Sequence, residues 1–295
     1  MIIFNSVKSL ENHLTDLQKQ QKTIGFAPTM GALHMGHISL ISIAKAQCDI
    51  VVSSIFVNPT QFNDLADLDK YPRTMDADIA LLEKADCDIL FAPEVNEIYS
   101  EEELNAKRNH KEDFSWTQGK TVDFGLLDKV MEGAHRPGHF NGVAQVVSKL
   151  FRIVNPNKAF FGQKDFQQLS IIKSMVKQLE MPIEIIACPI VREEDGLAMS
   201  SRNRRLSDEE RKEVPSISKL LFFIKEIYKT HPINQLKEVV TNYYEKESLI
   251  HLEYFDIVDS ETLQSITDFN NSKSAVACIA VKLKTVRLID NVILY

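Results

Sequence analysis

The stretch PTMGALHMGH, residues 28–37, holds two histidines at a spacing that suits joint chemistry. His34 and His37 lie three residues apart, so both project from one side of the first turn of a predicted helix. Gly31 permits a tight turn before this helix, and Gly36 permits close approach of a ligand. Helix-end amides favour phosphate, and imidazoles add donors that carry charge if protonated. We therefore predict a phosphate-facing loop. The alternatives are a metal site, which is weaker because only two ligands are present, and a plain turn.

A second cluster, FGQKDFQQ at 161–168, follows an apolar run. Lys164 can carry a point charge to a phosphate, and Asp165 can orient that lysine or accept from a ribose hydroxyl. Gln168 lies one helical turn beyond Lys164 and offers both a donor and an acceptor. Standing alone, this cluster would fit an ordinary helix start with exposed Lys and Gln equally well.

A third cluster, AMSSRN at 198–203, places two hydroxyls and a guanidinium in a row. The side chains of Ser200, Ser201 and Arg202 suit an anionic leaving group. A loop at a domain boundary can also close over its ligand. Taken alone, a solvated polar turn before the next helix is the favoured alternative.

Amides and carboxylates supply further candidates. FVNPTQF at 56–62 presents Asn58 and Gln61 on a Pro-stiffened loop, where amides suit hydroxyl or carboxylate recognition, with simple turn chemistry as the alternative. Asp76 and Asp78 open a predicted helix, and stabilisation by the helix dipole explains them without function. A magnesium role for Asp78 is the weaker prediction on spacing alone.

One more loop and two apolar features complete the set. MEGAHRPGHF at 131–140 places Arg136 and His139 in a Gly/Pro turn before a helix, which is consistent with another anion-facing loop. Trp116 and the Phe-rich segment at 220–228 are most simply core or packing residues.

These residues must be positioned by alternating strands and helices. We predict strands over 23–28, 49–57, 87–93, 158–162 and 183–191, and helices over 37–47, 74–85, 140–154 and 165–180. Such alternation indicates parallel βαβ units, hence an α/β fold with a Rossmann-like, doubly wound parallel sheet. Ligands of open α/β sheets bind beyond the carboxyl ends of strands, and the clusters follow such ends or lie at the domain boundary.

The pattern changes near residue 190. We predict helices over 214–230 and 233–247 and strands over 252–259, 274–283 and 286–294, which form a smaller α+β domain. The expected division is a catalytic domain at 1–190 and a C-terminal domain at 191–295 that closes over the active site. The segment at 98–127 is polar and aperiodic, so we expect a flexible excursion there.

Composition limits the partners. The formal net charge is −7 and the pI is near 5.7, which disfavours nucleic acid as a partner. No window approaches the roughly 20 apolar residues of a membrane span, and no signal peptide is recognisable. The four cysteines are far apart and adjoin apolar runs, as expected for core thiols in a reducing cytoplasm.

Taken together, these motifs resemble the pantothenate synthetase (pantoate–β-alanine ligase) family. PTMGALHMGH resembles the HIGH motif of the wider nucleotidyltransferase superfamily, and MSSRN takes the place of its second phosphate-binding signature. FVNPTQF, YPRT, EGAHRPGHF, FGQKDFQQ and VREEDGLAMSSRN follow in the family's order. The resemblance implies a cytoplasmic homodimer that uses MgATP to convert pantoate to an enzyme-bound pantoyl adenylate. β-Alanine then attacks this adenylate and gives pantothenate and AMP.

The resemblance also implies site residues, carried over by motif position. The catalytic set would be His34, His37, Lys164, Ser200, Ser201 and Arg202. The ATP-binding set would be Met30, Gly31, Ala32, Leu33, His34, Met35, Gly36, His37, Gly162, Gln163, Lys164, Asp165, Val191, Met199, Ser200, Ser201 and Arg202. Gln61 and Gln168 would hold pantoate with Asn58 nearby, and Gln61 would also contact β-alanine. His37 matches the family's acid-type residue, and Asp78 matches a position near the Mg²⁺ shell.

Three other functions compete with this interpretation. A nucleotidyltransferase of the same superfamily would move AMP onto a phosphate ester, and its acceptor pocket would need more basic residues. A tRNA synthetase is disfavoured by the acidic balance and the small C-terminal unit. A nucleotide-binding regulator without turnover would not need two histidines, a lysine and a Ser-Ser-Arg sequence together.

Overall fold

The computed structural model describes residues 1–62, 68–108, 115–246, 249–284 and 286–295. The strands of its first part are β1 (Ile2–Phe4), β2 (Ile24–Thr29), β3 (Ile50–Ile55), β4 (Ile89–Phe91), β5 (Lys158–Gly162) and β6 (Glu184–Cys188). The helices are α1 (Val7–Lys19), α2 (Met35–Lys45), α3 (Met75–Lys84), α4 (Val95–Ile98), α5 (Glu101–Arg108), α6 (Met131–His135), α7 (His139–Val154) and α8 (Phe166–Gln178).

The six strands form one sheet in the order β1-β4-β3-β2-β5-β6, and every neighbouring pair is parallel. From β2 the chain moves outward through β3 to β4 on one side, whereas β5 and β6 lie on the other. The carboxyl ends of β2 and β5 therefore meet at the switch point, where this class of sheet opens a crevice. This places PTMGALHMGH beside FGQKDFQQ.

Helices cover both faces of the sheet. One apolar cluster joins it to α1, α7 and α8 through side chains such as Leu14, Val147 and Ile172. Another joins the opposite face to α2 and α3 through Ile41 and Leu82. The four central strands, β2 to β5, are mostly apolar and buried on both sides, as a parallel sheet between helices requires, whereas the edge strands β1 and β6 are more exposed. The predicted α/β class is confirmed.

The C-terminal part is a smaller α+β unit with its own core. It contains α9 (Asp208–Glu213), α10 (Pro215–Ile227), α11 (Ile233–Glu245), β7 (His251–Asp259), β8 (Ala275–Leu283) and β9 (Val286–Ile293). The three strands form an antiparallel sheet in chain order. Its apolar cluster includes Leu221, Leu236 and Ile279. The boundary near 190 stays a prediction.

Some elements differ from expectation. Neither β1 nor α1 was predicted from the sequence. Within 98–127, residues 109–114 lie outside the described part, but Trp116 and Phe124 are only 4% and 7% exposed and belong to the main core. Trp116 is thus a core residue as predicted. Phe222 and Phe223 are 43% and 45% exposed and lie outside the core, because only the other face of α10 contacts the sheet. The Phe222 ring instead packs against the guanidinium of Arg192, 4.9 Å from the ring centroid.

Within the described ranges, none of the helices has the length and apolar character needed to cross a bilayer.

Candidate active site

A cavity of about 190 Å³, which we call the switch-point cavity, lies where β2, β5 and the segment after β6 meet. Most of the predicted ATP-binding residues line it. These are Met30, His34, Gly36, His37, Gly162, Lys164, Asp165, Val191, Met199, Ser200, Ser201 and Arg202, and Gln168 joins them. We call residues 28–37 the HIGH-like loop. Four of its predicted ATP-binding residues, Gly31, Ala32, Leu33 and Met35, do not line the cavity, and neither does Gln163, which precedes Lys164.

The HIGH-like loop is folded around a carboxylate of the protein itself. Its backbone has positive φ at Gly31 (80°) and Ala32 (50°). In this conformation the successive N–H groups of Ala32 and Leu33 both face Asp78. The N–H of Ala32 donates to Asp78 Oδ2 at 2.9 Å, and the N–H of Leu33 donates to Asp78 Oδ1 at 2.8 Å. Thr74 Oγ1 also donates to Asp78 Oδ1 at 3.2 Å. The loop is therefore an anion-binding nest already filled by Asp78.

Other amides of the loop are also engaged. Gly36 N–H donates to Nδ1 of His34 at 3.1 Å, and the N–H of His34 donates to Nδ1 of His37 at 3.3 Å. These two N–H groups are used within the loop, so a role of the loop's backbone amides in binding phosphate stays a prediction. The side chains of the loop are further candidate donors.

The same bonds fix the tautomer of both imidazoles. Because Nδ1 of His34 and Nδ1 of His37 accept from backbone N–H groups, the proton of each neutral ring is on Nε2. The ring centroids are 4.0 Å apart. Both residues line the switch-point cavity, so the loop supplies two neighbouring N–H donors to it.

Both imidazoles are uncharged at neutral pH. Burial, with the nearby Lys164 and Arg204, lowers the pKa of His34 to about 4. Burial, with His34 and Lys164, lowers the pKa of His37 to about 3. The prediction left open whether these rings carry charge, and the structure favours neutral rings. His37 would thus act as an N–H donor rather than as an imidazolium.

The positive charge of the site comes from other segments. Lys164 lies on the turn Gln163–Asp165 that joins β5 to α8; its side chain is 16% exposed, with Nζ 3.8 Å from Asp165 Oδ1. Ser200 caps the turn that follows it, with its Oγ accepting from the N–H of Arg202 at 3.3 Å. The site therefore combines two neutral donors with a lysine and an arginine.

Tyr71 also lines this cavity, although it was not among the residues predicted from the sequence. Burial raises the pKa of Tyr71, so the phenol stays protonated. The only sequence signal was an aromatic residue in the YPRT segment of a loop.

A second cavity of about 280 Å³, the interdomain cavity, adjoins the first. Lys164, Gln168 and Arg202 line both cavities, while Arg136 and His139 line only this one. Among the described residues the Gln168 amide makes no hydrogen bond, so both its donor and its acceptor are available to a ligand. The lining also includes Glu132, His135, Gln167, Arg205, Glu253, Tyr254, Arg287 and Asn291.

An ion-pair network ties the two parts of the chain together beside this cavity. Arg287 on β9 makes two bonds of 2.6 Å to the carboxylate of Glu132 on α6, and its Nε donates to Glu253 at 2.7 Å. Tyr254 donates to Glu132 at 2.8 Å. Burial opposes ionisation of Glu132, but Arg287 outweighs it and holds the pKa of Glu132 below its usual value.

Asn58 and Gln61 are buried behind the cavities. They are 1% and 9% exposed, and Asn58 Nδ2 donates to Gln61 Oε1 at 3.2 Å. Gln61 Nε2 contacts Met30 Sδ at 2.7 Å, and Met30 lines the switch-point cavity. Neither amide lines the two cavities, so their predicted contact with pantoate, and that of Gln61 with β-alanine, stay predictions.

A magnesium ion held by the protein fits poorly at Asp78. The side chain is 2% exposed, and both carboxylate oxygens accept hydrogen bonds. In the described ranges no three His, Cys, Asp or Glu residues are grouped to hold a metal ion. Phosphate oxygens of ATP would have to supply most ligands of such an ion.

Comparison with known proteins gives a consistent result. The family model described as pantoate-beta-alanine ligase matches residues 2–293. The pantothenate synthetase of Porphyromonas gingivalis is 50% identical over 292 residues, with 99% of each chain covered. That of Phocaeicola vulgatus is 52% identical over 293 residues, also with 99% of each covered.

Solved structures agree. The pantothenate synthetase of Thermus thermophilus is 38% identical, with a TM-score of 0.89 and 100% of both chains covered. The pantoate-beta-alanine ligase of Francisella tularensis, described as complexed with beta-gamma ATP and beta-alanine, is 34% identical, with a TM-score of 0.74. That match covers 99% of this chain and 97% of the other.

Proposed function

Since the chain belongs to the pantoate–β-alanine ligase family, we propose that it joins these two substrates through a pantoyl adenylate, with ATP cleaved to AMP and pyrophosphate. The observation that carries the proposal is the switch-point cavity. Three segments distant in sequence converge there and bring two N–H donors, a lysine and a Ser-Ser-Arg sequence to one space. The Francisella relative, described as complexed with beta-gamma ATP and beta-alanine, supports the choice of ligands.

The first step needs no nucleophile from the protein. A carboxylate oxygen of pantoate attacks the α-phosphorus of ATP, a new P–O bond forms, and the bond to the bridging oxygen breaks to release pyrophosphate. The protein must hold two anions together and stabilise charge on the α-phosphate and on the leaving group. Lys164 and Arg202 neutralise that charge, while His34 and His37 donate through Nε2–H.

Neutral histidines suit this role physically. An uncharged ring can donate to a phosphate oxygen without transferring its proton, so it stabilises the transition state throughout the step. The cationic Lys164, one of the groups that lower the pKa of both rings, supplies the full charge.

In the second step the amine of β-alanine attacks the acyl carbon of the adenylate. A C–N bond forms, the C–O bond to AMP breaks, and the amine loses its proton to solvent or to the leaving phosphate. The interdomain cavity adjoins the switch-point cavity at Lys164, Gln168 and Arg202, so the second substrate can reach the adenylate from that side. Gln168 would bind pantoate, and its uncommitted amide supports this assignment.

Other parts of the proposal rest on the family. We place the protein in the cytoplasm as a homodimer, and all four cysteines are free thiols, as a reducing compartment requires. The C-terminal part is proposed to close over the active site, for which the shared lining of the two cavities is the structural support. Mg²⁺ would enter with the phosphates of ATP, and we assign no step to it.

The test is AMP formation from ATP with pantoate and β-alanine each left out in turn. We expect pyrophosphate release to require pantoate alone, and AMP release to require both acids. A nucleotidyltransferase would instead release pyrophosphate with a phosphate ester and form no free AMP. Absence of pyrophosphate with pantoate would contradict the proposal.

A further inference from the structure

Two adjacent polar residues interrupt the apolar strand β9. Asp290 and Asn291 are 3% and 2% exposed, so both are buried even though neighbours in a strand normally face opposite sides. We call them the β9 polar pair. Buried polar side chains are costly unless they are hydrogen-bonded, so their partners indicate why they are there.

Asn291 binds the turn that carries Lys164. Its Nδ2 donates to the carbonyl of Gln163 at 3.0 Å and to the carbonyl of Lys164 at 2.9 Å. Its Oδ1 accepts from Gln163 Nε2 at 3.3 Å. One side chain of the C-terminal sheet thus fixes the backbone on both sides of the Lys164 Cα.

Asp290 binds the segment that leads to the other phosphate-facing loop. Its carboxylate forms two bonds to Arg192, at 2.6 and 3.1 Å, and accepts the N–H of Asn291 at 2.8 Å. Arg192 pairs with Ala198 in an antiparallel bridge, and the Ser-Ser-Arg sequence begins two residues beyond. The β9 polar pair therefore connects both phosphate-facing segments to one strand.

We propose that Asn291 is a positioning residue for Lys164 in adenylate formation, and that Asp290 holds the Arg192 segment in register with it. Asn291 does not act on substrate; it sets where the lysine charge stands relative to the α-phosphate. This inference rests on the proposed function. A misplacement of about 1 Å costs up to roughly 100-fold in rate, so loss of these bonds should slow the first step strongly.

The experiment measures single-turnover adenylate formation with the whole chain, saturating ATP and pantoate. Asn291→Ala removes both donors. Asn291→Asp retains the shape but turns an oxygen toward two carbonyl oxygens. We expect the rate to fall roughly 10- to 100-fold in Asn291→Ala and further in Asn291→Asp, with ATP affinity changed less than the rate.

A double-mutant cycle separates positioning from a general loss of stability. If Asn291 acts through Lys164, then Lys164→Ala with Asn291→Ala should be no slower than Lys164→Ala alone. Val281→Ala is the matched control, since it removes buried methyl groups from β8 in the same sheet at a position paired with Leu288 rather than with either member of the β9 polar pair. It should lower the melting temperature and leave the adenylation rate unchanged.

Three results would overturn the inference. They are a normal adenylation rate in both Asn291 variants, rate losses that multiply in the double variant, or a rate loss in Val281→Ala equal to that in Asn291→Ala at equal melting temperature. The wild-type chain runs in parallel. If it forms no adenylate, the proposed function fails, whereas a normal wild type with unaffected variants refutes only the positioning role.

Discussion

Replacing Asp78 by alanine tests whether this carboxylate builds the HIGH-like loop or binds a metal. The side chain is 2% exposed and accepts the N–H groups of Ala32 and Leu33. Its removal leaves two buried backbone donors without partners, at about 1–3 kcal/mol each. We expect the free energy of unfolding to fall by about 4 kcal/mol. The loop that carries His34 and His37 should also lose its fixed geometry, so adenylation should slow.

The matched control is Asp76→Ala. Asp76 is exposed in the same first turn of α3, so this change removes an equal charge from the same helix end without touching the loop. Asp78→Asn should be intermediate, because the amide keeps one acceptor oxygen. Unfolding is followed by circular dichroism in urea, and adenylation is measured over a range of Mg²⁺ concentrations.

Two results would refute this reasoning about Asp78. One is an unfolding free energy for Asp78→Ala within about 0.5 kcal/mol of that of the control. The other is restoration of the adenylation rate by high Mg²⁺, which a metal ligand predicts and a loop anchor does not.

Four further predictions follow from the site. Because His34 and His37 are neutral donors, their titration should cause no inflection in the adenylation rate between about pH 6 and pH 8. An inflection near pH 6.5 in the wild type that is absent from His37→Gln would contradict this prediction. Lys164→Ala should raise the adenylation barrier by about 3 kcal/mol or more in single turnover, and an unchanged rate would disprove its role. Gln168→Ala should raise the KM for pantoate more than that for ATP, and equal changes in steady-state kinetics would exclude a pantoate contact. Burial and Arg136 lower the pKa of His139 to about 4, so between about pH 4 and pH 6.5 this residue binds more protons in the unfolded chain than in the folded one. From pH 7.5 to pH 5.5 the free energy of unfolding, measured in urea, should therefore fall by about 1.4 kcal/mol more in the wild type than in His139→Gln. Equal decreases in the two proteins would refute this.

The meeting of the main clusters could be predicted from the sequence. Strand and helix segments alternate clearly, and the carboxyl ends of parallel strands meet at one edge of a sheet. That reasoning alone brings His37, Lys164 and Arg202 toward one another. The strand β1 could not be predicted because it has only three residues. Two of these, Ile2 and Ile3, are 49% and 43% exposed, so the sequence shows no pattern of buried residues there.

The contacts that hold the site together could not be predicted in the same way. Asp78 binds amides 45 and 46 residues earlier in the chain, and only the packing of α3 against the loop after β2 brings them together. Asn291 reaches Lys164 from 127 residues away. Two adjacent polar residues inside an apolar strand were a visible signal, but they do not reveal their partners. Local patterns predict elements, whereas such pairings depend on tertiary packing.

The proposed reaction begins when the carboxylate of pantoate attacks the α-phosphorus of ATP. The most direct measurement uses pantoate labelled with ¹⁸O in both carboxylate oxygens, followed by mass spectrometry of the products after β-alanine is added. We predict that one labelled oxygen appears in AMP and none in pyrophosphate, because the oxygen that forms the new P–O bond leaves with AMP. Unlabelled AMP, or label in pyrophosphate, would contradict the account.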